Sequence, residues 1–189
     1  MNNIGLVCGE ILEYISLNNF FVLNFSSLFT HFFLRLRQKI LGKDDLKVAE
    51  SLDSIAGLYQ MQKDNEKALK ALKEAMRIRR QHFGNDHLEV ATTLFGMGST
   101  LADIGELDKA MDCYNASLII RKRRLGSSSM EVAQTFHNMG SVYALKQDYS
   151  KALEQWNSSL EKYLELGLPD DHHLVSCTLS NIQMAEKFL

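Results

Sequence analysis

RIRRQHFGNDHLEVATTL (77–94) and IIRKRRLGSSSMEVAQTF (119–136) are the stretches that decide the fold. Laid over one another they share a basic run, then Gly84 or Gly126, then Glu89-Val90-Ala91 or Glu131-Val132-Ala133, at an offset of 42 residues. The same offset carries back to Gly42 and Val48-Ala49. A separate column, Lys67-Ala68, Lys109-Ala110 and Lys151-Ala152, keeps step with it. Agreement of independent columns at one period marks a repeat array, in which each unit buries its apolar face against the next. Apolar and small residues of the first segment fall at i, i+3, i+4 and i+7: Leu52, Ile55, Ala56 and Tyr59; Leu94, Met97, Gly98 and Leu101; Phe136, Met139, Gly140 and Tyr143. A second segment carries Ala68, Leu72, Ala75 and Ile78, echoed by Ala110, Tyr114, Ser117 and Ile120 and by Ala152, Trp156 and Ser159. Each unit therefore reads as a pair of helices. Small residues at Ala56, Gly98 and Gly140 are expected to face Ala68, Ala110 and Ala152, so that the two helices approach closely. Gly84 and Gly126 suit the position just past a helix end, and Asp86-x-x-Glu89 and Ser128-x-x-Glu131 have the spacing of a capping box.

The core pattern resembles the tetratricopeptide repeat at Leu94, Met97, Gly98, Leu107, Ala110 and Tyr114, and again at Phe136, Met139, Gly140, Tyr143, Tyr149, Ala152 and Trp156. The 42-residue period resembles, more specifically, the repeats of kinesin light chain. The resemblance covers about residues 34–187. It implies an all-α fold, an α-α superhelix of stacked helix pairs forming a right-handed solenoid with first helices along a concave face. It also implies a non-catalytic scaffold that binds a partner peptide in that groove. The expected organisation is a divergent apolar segment at 1–33 and a repeat array at 34–189. The array divides into a half repeat at 34–48, repeats at 49–90, 91–132 and 133–175, and a terminal helix at 176–189, after a one-residue slip near Pro169.

In kinesin light chain repeats the first helix reads L-N-N-L-A, and its asparagines hold an extended peptide. The matching pairs here are Asp53-Ser54, Phe95-Gly96, His137-Asn138 and Ser180-Asn181. The resemblance thus implies a peptide groove at Ser54, Phe95, His137, Asn138, Ser141, Ser180 and Asn181. Only Asn138 and Asn181 keep the amide, which can both donate to and accept from a peptide backbone. Binding is accordingly expected in the C-terminal half. Glu50, Asp53 and Asp103 make the other end acidic, which favours a neutral or partly basic peptide over an acidic one.

Composition narrows the function classes. The chain has 189 residues, 21 basic against 23 acidic, so no basic surplus points to nucleic acid. Three dispersed cysteines (Cys8, Cys113, Cys177) without a C-x-x-C exclude a disulfide scaffold or zinc finger and suit a reducing, cytoplasmic setting. Gly96-Met97-Gly98-Ser99-Thr100 lacks the lysine and preceding strand of a phosphate loop. His82, His87, His172 and His173 have no carboxylate or thiol at ligand spacing. No catalytic residue, cofactor, metal or small-molecule substrate is expected. The basic clusters at Arg77, Arg79 and Arg80 and at Arg121–Arg124 are expected to complement helix dipoles, with a basic ridge for acidic partners as the competing reading.

The N-terminal fifth is different. Residues 14–34 contain no Asp, Glu, Lys or Arg, and Arg35, Arg37 and Lys39 follow. That is spanning length, so a membrane-anchored adaptor using 14–34 is the alternative function. Asn18, Asn19 and Asn24 argue against a span. An apolar helix closing the open end of the array is the simpler expectation.

Overall fold

The computed structural model describes residues 28–189, so most of the 14–34 segment and all of 1–27 lie outside the described residues. Among the described residues there are eight α-helices and no strand. They are α1 (residues 28–41), α2 (Leu46–Met61), α3 (Asn65–Phe83), α4 (Leu88–Ile104), α5 (Leu107–Leu125), α6 (Met130–Leu145), α7 (Tyr149–Glu165) and α8 (His173–Ala185), followed by a short 3-10 turn, Glu186–Phe188. No helix among them is long and apolar enough to cross a membrane. The chain divides into two compact units, Met1–Ala75 and Met76–Leu189.

In the second unit the helices pair as the period predicts: α4 packs on α5 and α6 on α7, with α8 against α7. The inward columns are Val90, Ala91, Val132 and Ala133 from the first helices and Ala110 and Ala152 from the second, each wholly buried. The close approach differs in detail from the expected glycine-to-alanine contact. A Cβ on Gly98 would lie 2.8 Å from the Tyr114 ring, and one on Gly140 only 2.6 Å from the Trp156 ring. Glycine is required there because an aromatic ring occupies the space a side chain would take. The Gly96–Thr100 run lies inside α4, as a packing element should.

Helix starts correct the capping-box expectation. The N-caps are His87 and Ser129, each one residue beyond the expected Asp86 and Ser128, with Asp45 and His172 at the first and fourth starts. Asp45 and Ser129 accept from the amides of Lys47 and Val132. His87 and His172 do the same through Nδ1, from Glu89 and Leu174. An imidazole nitrogen thus satisfies an orphan amide that a hydroxyl or carboxylate normally takes. Helix ends fit the glycine expectation: Gly42, Gly84, Gly126 and Gly167 all have positive φ. The cap follows that glycine by three positions at the first three junctions, but by five at the fourth. The extra length sits around Pro169.

The first unit repeats the pattern with α1, α2 and the start of α3. Val48, Ala49, Ile55, Ala56 and Ala68 form its buried columns. Arg37 of α1 donates to the Lys47 carbonyl and to Ser51 Oγ, at 2.9 and 2.7 Å.

Candidate functional site

Arg37 opens a second column at the same offset, because Arg79 and Arg121 follow it by 42 and 84 residues. Both are 4% exposed, unusual for arginine. Arg79 donates to Thr93 Oγ1 at 2.6 Å and pairs with Glu89 at 3.0 Å. Arg121 donates to Thr135 Oγ1 at 2.8 Å and to the Glu131 carbonyl at 2.9 Å, with its guanidinium 4.4 Å over the Phe95 ring. Burial pulls the Arg121 guanidinium below its ordinary pKa, and Glu131 opposes that pull. Beside it, Arg123 and Arg124 hold Asp86 at 3.0 and 3.1 Å, which keeps that carboxyl below the usual range. Within the basic clusters, Arg79 and Arg121 fasten the end of a second helix to the start of the next pair, while Arg123 and Arg124 bind Asp86 at the start of their own pair.

That scaffold positions α6, where the expected groove residues concentrate. His137 is spent on structure: its carbonyl accepts from Trp156 Nε1 at 3.1 Å and from Ser141 Oγ at 3.2 Å. Its Nδ1 meets Thr178 Oγ1 of α8 at 2.9 Å. Thr178 already donates to the Leu174 carbonyl, so it accepts here and the His137 proton sits on Nδ1. Burial lowers the His137 pKa. Asn138 donates one amide hydrogen to Tyr114 Oη at 3.3 Å and is half-buried. Phe95 stands edge-on to the same Tyr114 ring, centroids 5.5 Å apart.

Ser141 and Asn181 come together across α6 and α8 on the wall of one cavity of about 460 Å³. Its other walls are Ala144, Leu145, Tyr149, Trp156, Met184, Ala185 and Phe188. Phe188 stacks on Tyr149 at 4.8 Å, and the Trp156 ring is pinned by its bond to His137. The cavity is apolar with an amide and a hydroxyl at its edge, the composition of a small ligand or side-chain pocket. Tyr149, Trp156, Met184 and Phe188 were not among the expected groove residues. Trp156 was legible as the largest residue of the Tyr114 column, opposite a glycine, but read only as core. Ser180 is exposed and lies off this wall. In the first unit Ser54 is exposed, with its hydroxyl donating to the Glu50 carbonyl. A smaller hollow there, about 340 Å³, is lined by His31, Tyr59, Lys67, Lys70 and Glu74 among others. Among the described residues no group of three or more His, Cys, Asp or Glu is placed to hold a metal ion.

The tetratricopeptide repeat family model matches residues 34–81, 55–123 and 89–165. No curated protein matches the chain. Among solved structures, BtubC (BKLC) from P. vanneervenii superposes with a TM-score of 0.76 at 20% identity, covering 95% of this chain and 73% of that one. The TPR-like repeats of a kinesin light chain candidate from Podosopora anserina give 0.74 at 13% identity, covering 100% of this chain and 89% of that one. The apo form of RapI gives 0.68 at 20% identity, over 82% and 42%. At these identities the likeness is one of fold.

Proposed function

This chain belongs to the tetratricopeptide repeat family, and from that premise we propose that it is a non-catalytic, cytoplasmic scaffold that binds a partner peptide, in the manner of kinesin light chain repeats. The single observation that supports the reading best is the cavity shared by Ser141 and Asn181. An extended peptide brings backbone N–H and C=O groups that must not be buried unpaired, and side chains that seek an apolar pocket. Amides on α6 and α8 beside the Tyr149–Trp156 wall offer both. Asn138 fits as the neighbouring contact: one N–H is committed to Tyr114, leaving its carbonyl oxygen for a ligand. The repeats at 91–132 and 133–175 with the helix at 176–189 would carry recognition, and the stretch around Ser54 would contribute less. Full-length protein captured on a matrix should retain a partner whose cross-links fall on α6 and α8. Titration of a peptide from that partner should be weakened by Asn138→Ala with Asn181→Ala. Equal affinity of wild type and double variant places binding elsewhere.

A further inference from the structure

Away from the cavity, α1 presents a face that neither α2 nor α3 uses. Its inward residues are His31, Leu34 and Arg37, which meet the first unit through Tyr59, the 340 Å³ hollow and Ser51. On the opposite side Leu28, Phe32, Leu36 and Ile40 recur every four residues and are 71, 61, 38 and 69% exposed. Arg35 and Lys39, both exposed, run along one edge of this stripe, and Lys43 stands just past the helix end. No carboxylate occurs anywhere between Tyr14 and Lys43. An apolar stripe with a purely basic border is complementary to one kind of surface.

We propose that the outward face of α1 docks on an anionic lipid bilayer, with the helix lying flat at the headgroup level. The described part of α1, residues 28–41, carries Arg35, Arg37 and Lys39, a charge load that suits the interface and not the hydrocarbon core. It has the composition of an interfacial helix: apolar side chains enter the acyl boundary while Lys and Arg meet phosphate. A second copy fits worse, because antiparallel pairing of two α1 stripes sets Arg35 and Lys39 of both copies along one seam with no carboxylate to offset them.

Sedimentation of the full-length chain with vesicles tests this. With phosphatidylcholine plus phosphatidylserine the protein pellets, several-fold more than with phosphatidylcholine alone, and added salt or alkaline carbonate releases it. Arg35→Gln with Lys39→Gln, both at exposed positions, lowers partitioning about 25-fold, at about fivefold per basic residue. Ile40→Ser lowers it further without loss of helicity. The proposal is overturned by protein that stays in the supernatant with both vesicles, by binding that the charge variant leaves unchanged, or by binding that survives carbonate. A concentration-dependent dimer that Ile40→Ser dissolves would assign the face to a second copy and overturn it too.

Discussion

The junction of α5 with α6 and that of α7 with α8 occupy the same place in successive repeats and are built from different residues. At the first, Arg121 reaches Thr135 and the Glu131 carbonyl from a buried position. Forty-two residues on, the arginine is replaced by Tyr163, wholly buried, whose hydroxyl has no hydrogen-bond partner. It lies near Ser159, whose hydroxyl donates to the Ala133 carbonyl, but without the geometry of a hydrogen bond. There α8 is held instead by the bond from His137 of α6 to Thr178 and by apolar burial around Tyr163 and Val175. One junction is therefore fastened by charge-assisted bonds and the other by packing.

The largest effect is expected where the fastening is removed. Arg121→Ala takes away two hydrogen bonds from a charged donor, the contact on Phe95 and the packing of a long apolar stem. The expected loss is about 2–4 kcal/mol. Tyr163→Phe removes only an unsatisfied hydroxyl and should be neutral or stabilising by up to about 1 kcal/mol. Denaturant melts of both variants check the pair. A costly Tyr163→Phe, or a silent Arg121→Ala, breaks the comparison.

The second effect concerns the rings beneath these junctions. Gly140→Leu should destabilise by about 1–3 kcal/mol despite its gain in helix propensity, because Trp156 fills the space and is held by its bond to the His137 carbonyl. The first repeat carries Ala56 and Leu72 at the equivalent positions. Gly140→Ala should therefore be unfavourable alone and partly rescued by Trp156→Leu, with a coupling of about 1 kcal/mol or more. Thermal melts of the two single variants and the double variant measure it, and strict additivity would show that the glycine answers to something else.

These contacts show what a single sequence can disclose. The period and the 3.6-residue spacing revealed the helix pairs, because each column had to be small or apolar to stack. The buried arginines were read as surface cations. Nothing in Arg79 or Arg121 alone announces burial; the signal was the matching column at Ser51, Thr93 and Thr135, fourteen residues on. His87 and His172 were weighed as metal ligands and not as caps, because histidine is an uncommon cap. The cavity wall was illegible for another reason: Trp156 and Phe188 are distant in sequence and meet only after α8 folds back on α7. The asparagines were legible only through the family resemblance.

A smaller effect should separate binding from folding on the α6 side. Asn138 is half-buried and makes a single 3.3 Å bond, to Tyr114. Asn138→Ala should weaken a groove peptide by about 0.5–1.5 kcal/mol while the melting temperature falls little. Calorimetric titration beside a thermal melt distinguishes the two. A large drop in melting temperature with unchanged affinity would make Asn138 part of the scaffold alone.

The smallest effect comes from His137, and its sign follows from its surroundings. Burial lowers its pKa in the folded protein below the ordinary 6.5, so below that pH the unfolded chain binds the proton more readily than the folded one. Stability from this group is fully present above about pH 6.5 and is lost as the pH falls from there through the folded-state pKa. The carboxylates held low by cations, Asp86 by Arg123 and Asp108 by Lys146, act in a separate and lower window. Their contribution is present above the ordinary carboxylate range and disappears only as the pH falls through their depressed values. Between pH 7 and 5 the decline should therefore come from the α7–α8 side, where His137 meets Thr178, and not from the Arg121 junction. Amide exchange read by segment over that range should show α8 opening more at pH 5 than at pH 7, with α5 unchanged. His137→Gln should flatten the α8 response. If α5 and α8 lose protection together, or if the variant keeps the wild-type slope, the packed junction is not the pH-sensitive one.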